Sequence, residues 1–153
     1  MTATQAKIST TIGVSREKLF DFHQNPRNMI QILPRFIRVG RIDCEPIAKP
    51  GDEFVVKLWA PFPVTWRGRW HVVRPPEILV DVALKSPFSY WRHEHRFEEV
   101  AGGTRLTETV EIRFGHGRAG ALAAAAFARI PLPLLFKQRQ MAMKDYLERT
   151  STT

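Results

Sequence analysis

From Tyr90 to Val100 the side chains alternate without a break. Trp91, His93, His95 and Phe97 fall on one side of an extended chain, and Arg92, Glu94, Arg96 and Glu98 fall on the other. Period-two patterning of this kind belongs to a β-strand with one buried and one solvated face. The charged residues mark the solvent side, so both histidines are expected to point inward with the aromatic rings. A second alternating run, Thr104 to Gly115, follows Gly102-Gly103, a pair suited to the positive backbone angles of a tight hairpin turn. Pairing Ala101 with Thr104 places Phe97 opposite Glu108, His95 opposite Val110 and His93 opposite Ile112. That register aligns the two apolar faces, and a one-residue slip would destroy the match. Glu108 is then a lone acid among Leu106, Val110, Ile112 and Phe114, diagonal to His95 at about 7–8 Å.

The remaining segments fall into a simple order. Ala6 to Ile12 alternates as a first strand. Ser15 can cap a short helix running to Gln24, because its hydroxyl accepts from an orphan amide of the first turn, and Glu17 favours the same positive end. Leu19, Phe20 and Phe22 supply that helix with its buried stripe. Asn25-Pro26 ends it, Pro26 opens a second short helix, and Pro34 closes that one. Strands are predicted over 36–43, 52–60, 64–74 and 77–85, punctuated by Pro50-Gly51, Pro75-Pro76 and Ser86-Pro87, before the final hairpin. From about Ala119 to Arg149 the period becomes helical, with Leu132, Phe136, Met143 and Leu147 near one stripe and Leu135, Ala142 and Tyr146 beside it. Pro131 and Pro133 must kink or interrupt that element. A chain of 153 residues suits one domain with one core, spanning 1–153. The expected fold is α+β: a seven-stranded curved antiparallel sheet wrapped around a long C-terminal helix, with two short helices after strand 1.

Composition narrows the function classes. Cys44 is the only cysteine, which rules out an intramolecular disulfide and any CxxC metal clip. Met1 to Lys7 lacks the apolar core of a secretory signal. The apolar stretch Gly120 to Phe136 contains Arg129, Pro131 and Pro133, which argues against a membrane span and makes a cytoplasmic location the expectation. The net charge is +8, and sixteen of the 23 basic residues are arginine. Such a field favours anionic partners, an anionic membrane surface among them. No basic cluster is dense enough for a dedicated nucleic-acid arm. There is no G-x-S-x-G, P-loop or dinucleotide fingerprint.

Two segments carry a family resemblance. Val14-Ser15-Arg16-Glu17-Lys18-Leu19-Phe20-Asp21-Phe22-His23, continuing to Asn25-Pro26-Arg27-Asn28, resembles the opening of small bacterial START-like (SRPBCC) proteins of the polyketide cyclase/dehydrase kind. Ser86-Pro87-Phe88-Ser89-Tyr90-Trp91 through Glu98, followed by Gly102-Gly103-Thr104-Arg105-Leu106-Thr107, is similar to the same proteins. The resemblance implies a helix-grip fold with an internal cavity between sheet and long helix, and binding of a lipid-, quinone- or polyketide-like molecule. One departure lies at Ala123 to Ala126 and the two following prolines, where similar proteins carry a continuous arginine-rich helix.

On this reading the cavity is lined by Trp66 and Trp70 of the fourth strand and by Val80 and Val82 of the fifth. The sixth strand adds Trp91, His93, His95 and Phe97, the seventh Glu108, Val110 and Ile112, and the last helix Phe136. Gly68, between the two tryptophans, marks a bend or a close approach to the backbone. The third strand could present Phe54, Val56 and Leu58 or else Val55 and Trp59. His93, His95 and Glu108 are the candidate catalytic residues of a cofactor-independent cyclase or dehydratase, because an inward carboxylate beside an inward imidazole can serve as acid and base. The rival reading is a structural polar couple that holds the hairpin, since structural pairs perturb pKa values as well. Two histidines at i and i+2 with one glutamate match no recognised metal signature, and neither a metal nor a cofactor is expected. His23 and His116 are assigned no role, and the oligomeric state is left open.

Overall fold

The computed structural model describes residues 3–115 and 117–151; His116 and both chain ends lie outside the described residues. Strands β1 (Thr4–Ile12), β2 (Arg38–Asp43), β3 (Glu53–Trp59), β4 (Pro63–Arg74), β5 (Ile78–Lys85), β6 (Tyr90–Val100) and β7 (Gly103–Arg113) form one antiparallel sheet in the order β1-β7-β6-β5-β4-β3-β2. Strands β2 to β7 are a meander of neighbours. β1 is the exception: it pairs with β7, and the intervening helices carry the chain to the far edge. Helix α1 (Arg16–Gln24) is capped by Ser15, whose hydroxyl accepts from the Lys18 amide at 3.2 Å. Asn25 ends α1 and in turn accepts from the Arg27 amide at the start of a 3₁₀ helix, Pro26–Gln31.

The C-terminal helical region is divided in two, α2 (Gly117–Arg129) and α3 (Pro131–Thr150), with the break at Ile130. Both prolines fall in the first turn of α3, where amides have no intrahelical acceptor to lose. Leu134 makes the first return bond, to Ile130 at 3.1 Å. The Gly117–Thr150 stretch contains an 18-residue window of mean hydropathy 1.7, apolar and long enough by composition to cross a membrane. Arg129 and the prolines therefore do not exclude a span on composition, as the sequence argument supposes. In the structure the stretch gives Ala124, Ala128, Leu132 and Phe136 to the core.

Two apolar clusters make that core. One gathers Leu19, Phe20, Phe97, Leu106, Met143 and Leu147; the other gathers Trp91, Val110, Ile112, Ala128, Leu132 and Phe136. Burying each of the leucine, isoleucine, valine, phenylalanine and methionine side chains among them contributes about 1.5–3 kcal/mol. Between them runs a polar layer. It interrupts β6 at His93 and His95, β7 at Glu108 and α3 at Gln140, and all four are at least nine-tenths buried.

Three register details differ from the sequence expectation. The β6–β7 turn is one step earlier, with Val100 paired to Gly103, so His95 stands directly opposite Glu108, His93 opposite Val110 and Phe97 opposite Leu106. The shift totals two residues, so every side chain keeps its face. Gly103 belongs to the strand rather than the turn: its φ is 142°, and a Cβ there would strike the Ile12 carbonyl of β1. In β4, the pairing shifts between Trp70 and Val72, leaving Trp70 opposite Asp81 and Val72 opposite Val80. A bulge of this kind moves the residues beyond it to the other face. Val72 therefore leaves the face of Trp66 and Trp70, and Val73 takes its place against the core. Gly68 is indeed a point of close approach, but the visitor is the Phe54 ring, which fills the space of a Cβ. That contact settles β3, whose Phe54, Val56 and Leu58 face inward.

Candidate functional site: a cavity with a polar wall

The inner face of the sheet, the 3₁₀ helix and α3 enclose a cavity of about 450 Å³, within the usual range for small-molecule sites. Trp66, Trp70, Phe88, Trp91, Phe127 and Phe136 give it aromatic walls. Phe88 ties several of these together, with ring centroids 5.0 Å from Trp91, 6.0 Å from Trp66 and 5.6 Å from Phe127. Phe62 also lines it and is 57% exposed, which marks where the cavity meets solvent. A cluster of polar residues shares the lining: His23, Asp81, His93, His95 and Arg139, with the His93 ring 5.0 Å from that of Phe136.

Of the residues expected at the site, Trp66, Trp70, Trp91, His93, His95 and Phe136 line the cavity. Val80 and Val82 do not. They pair with Glu94 and Arg92, the outward residues of β6, and so lie on the convex face. The sequence hides this because β5 is apolar on both sides, and Asp81 reads as the solvent residue. Phe97 packs instead against Phe20, with ring centroids 5.5 Å apart. Val110 and Ile112 are fully buried in the second core cluster. Glu108 is also fully buried and lies behind the histidines rather than in the cavity wall.

The two imidazoles stand between two carboxylates. His93 Nε2 is 3.2 Å and His95 Nδ1 3.6 Å from Glu108 Oε1; on the other side His93 Nδ1 is 3.6 Å and His95 Nε2 3.5 Å from Asp81 Oδ2. The rings themselves are close, with centroids 3.8 Å apart. Neither imidazole is aligned for a hydrogen bond to Glu108, and His93 Nε2, His95 Nδ1 and Glu108 Oε1 are all buried without a hydrogen-bond partner. Gln140 holds Glu108 from behind, donating to Oε2 at 2.8 Å and to the Ile8 carbonyl at 3.3 Å.

Burial alone would raise the Glu108 carboxyl. The adjoining His93 imidazole, the Arg139 charge and the other histidine outweigh it and hold the group below the ordinary carboxylate range. His93 is displaced downward, first by burial and then by the charge on its neighbour His95. His23 is lowered to about 3, again by burial first and His95 second. Its Nδ1 lies 2.8 Å from the Leu19 carbonyl, so donation there leaves Nε2, which is buried and unpartnered, as a free lone pair.

Four residues of this site escape the sequence reading. His23 was legible in principle, since it follows Leu19 and Phe20 by four and three residues and shares their stripe. Gln140 likewise interrupts the Phe136–Met143–Leu147 stripe. Arg139 sits beside that stripe with its guanidinium 4.6 Å above the Phe136 ring. Asp81 has no local signal and becomes visible only once β5 is registered against β6.

The arrangement can be set beside known proteins. No protein-family model matches the chain, and no curated protein matches it either. Solved structures do. The di-domain aromatase/cyclase StfQ of the steffimycin biosynthetic pathway superposes with a TM-score of 0.77 at 13% identity, over 99% of this chain and 53% of that one. Protein NE0264 from Nitrosomonas europaea gives 0.75 at 11% identity, over 97% of both chains. The Zhui aromatase/cyclase from a Streptomyces species gives 0.66 at 14% identity, over 93% of this chain and 89% of that one. The chain shares the helix-grip fold of these structures. In this fold the curved sheet grips α3, and the cavity is the space that the grip leaves unfilled. At these identities the likeness concerns architecture, and function rests on the side chains of the cavity.

Proposed function

We propose that this protein binds an apolar or amphipathic small molecule inside the helix-grip cavity, with a polar or anionic group of the ligand turned toward His93, His95, Asp81 and Arg139. The observation that carries this reading is the make-up of the wall: apolar and aromatic side chains throughout, with one cluster of ionisable groups among them. Apolar walls supply the driving force and a few placed polar groups fix orientation. Arg139 offers a cation that a carboxylate or enolate oxygen can meet. The test is native mass spectrometry of freshly purified protein, followed by titration with fatty acids, quinones and aromatic polyketides monitored by tryptophan emission. Three of the four tryptophans line the cavity, so occupancy should change their signal. Absence of a saturable response to every class would sink the proposal.

A catalytic reading is supported by one further feature, the imidazole pair exposed to the same cavity. Two of the structurally similar proteins are named as aromatase/cyclases. In a cyclase or dehydratase of this geometry, His93 or His95 would take or give the proton at the substrate, with Asp81 beside them. Glu108, out of the cavity, would act as a positioning residue. Confinement and one acid–base pair suffice for aldol closure and loss of water. Incubation with a poly-β-ketone mimic and product analysis tests this, with His95→Gln expected to lower turnover by about 10²–10⁴-fold.

A further inference from the structure

Two neutral imidazoles carry only two N–H groups, yet His93 and His95 face carboxylate oxygens with all four ring nitrogens. If both N–H groups point at Glu108, two nitrogen lone pairs point at Asp81 Oδ2, and like partial charges oppose one another. A cation between them resolves the conflict. We propose that Asp81, His93 and His95 form a binding site for a divalent first-row transition metal ion in the cavity wall, with Glu108 as the outer carboxylate that orients both imidazoles.

The distances support this assignment. Asp81 Oδ2 lies 3.6 Å from His93 Nδ1 and 3.5 Å from His95 Nε2, beyond the hydrogen-bond range of about 2.7–3.2 Å. Ligand atoms about 2.0–2.1 Å from a tetrahedral ion stand roughly 3.4 Å apart. One donor from each of the three residues falls within 4.8 Å of the others, and all three are buried. The far nitrogens, His93 Nε2 and His95 Nδ1, both face the single oxygen Glu108 Oε1, at 3.2 and 3.6 Å and without an aligned hydrogen bond, so a small turn of each ring on metal binding would make Glu108 the outer carboxylate. Gln140 fixes that carboxylate in turn. The three proposed ligands line the cavity whereas Glu108 does not, so the remaining coordination positions open toward the bound molecule. Two imidazoles and one carboxylate with open positions suit zinc or ferrous ion.

A rival donor set shares His95: His23, His95 and Glu108 also bring three donors within 4.8 Å. It is the less suitable because Glu108 has no exposed surface and no face toward the cavity. The two sets part at Asp81 and His93 on one side and His23 on the other.

The experiment uses untagged full-length protein, freed of metal by chelation and titrated with Co²⁺ under visible spectroscopy, then with Zn²⁺ to displace it. The expected result is saturable binding of one equivalent with intense ligand-field bands. Asp81→Asn and His93→Gln should each abolish those bands, Glu108→Gln should weaken affinity by about 10–100-fold, and His23→Gln should leave the titration unchanged. Circular dichroism reports folding, and His93→Gln decides if Asp81→Asn does not fold. No saturable Co²⁺ binding by the wild type overturns the site. So does wild-type behaviour in both Asp81→Asn and His93→Gln, or loss of binding in His23→Gln alone. The inference stands on the side-chain geometry and not on the ligand reading, so tryptophan-monitored binding of a hydrophobe is a separate outcome.

Discussion

Asp81 of β5 stands directly opposite His93 of β6, with Oδ2 3.6 Å from Nδ1 and both side chains more than nine-tenths buried. This pairing turns a two-histidine strand face into an enclosed four-residue cluster with Glu108 on its far side. It also places an acid where the apolar character of β5 suggests an aliphatic wall.

Gln140 is the hinge pin of the polar layer on the helix side. Gln140→Leu removes the donor to Glu108 Oε2 and leaves a buried carboxylate oxygen unsatisfied, which should destabilise the fold by about 1–3 kcal/mol. Urea unfolding should show a lower midpoint with an unchanged slope. A wild-type midpoint would mean that Glu108 finds another donor.

Gly68 is required by packing. Gly68→Ala drives a methyl group into the Phe54 ring, and overpacking of this sort costs about 1–3 kcal/mol. Pairing it with Phe54→Leu should recover part of the loss, a non-additivity that thermal melts of the two single variants and the double variant would expose.

Arg139→Met keeps much of the aliphatic stem that packs near Phe136 while deleting the cation. Affinity for a carboxylate-bearing hydrophobe should fall by roughly 10–100-fold, the worth of about 1.5–3 kcal/mol for a hydrogen bond to a charged group. Affinity for the neutral alcohol of the same chain length should barely move. Equal losses for the two ligands, read by tryptophan titration, would show that Arg139 acts through packing.

Glu53 provides the pH-dependent case. Arg69 first and Arg67 second hold its carboxyl below the ordinary 4.5, so its stabilising contribution is present above that value and is lost as pH falls through the depressed native one. Glu53→Gln should therefore match wild type most closely at the acid end and differ above pH 4.5. Glu53 is partly exposed and its two arginine partners about half exposed, so the difference should shrink in high salt. A difference that persists in 1 M salt would contradict the screening argument.

Much of the architecture was open to local reasoning. Ser15, Asn25-Pro26 and the Pro131/Pro133 pair mark helix ends through chemistry that acts within a single turn, and all three do so in the structure. The inward direction of His93 and His95 survived a two-residue error in hairpin register because a shift of two preserves face. Their relation to Glu108 did not survive it: the sequence places Glu108 diagonal to His95, and the structure places it opposite.

What the sequence determined by itself is the inward face of β6 and β7, the ends of the two short helices, the interruption at Pro131 and Pro133 and the order of the elements, because these depend on neighbours a few residues apart. What only the tertiary structure decided is which residues meet. The bulge between Trp70 and Val72 sends Val80 and Val82 to the convex face and turns Asp81 inward. The end of α1 brings His23 against His95, with ring centroids 5.1 Å apart. The polar wall of the cavity is assembled from β5, β6, α1 and α3, and its membership follows from non-local register and packing that no window of the chain contains.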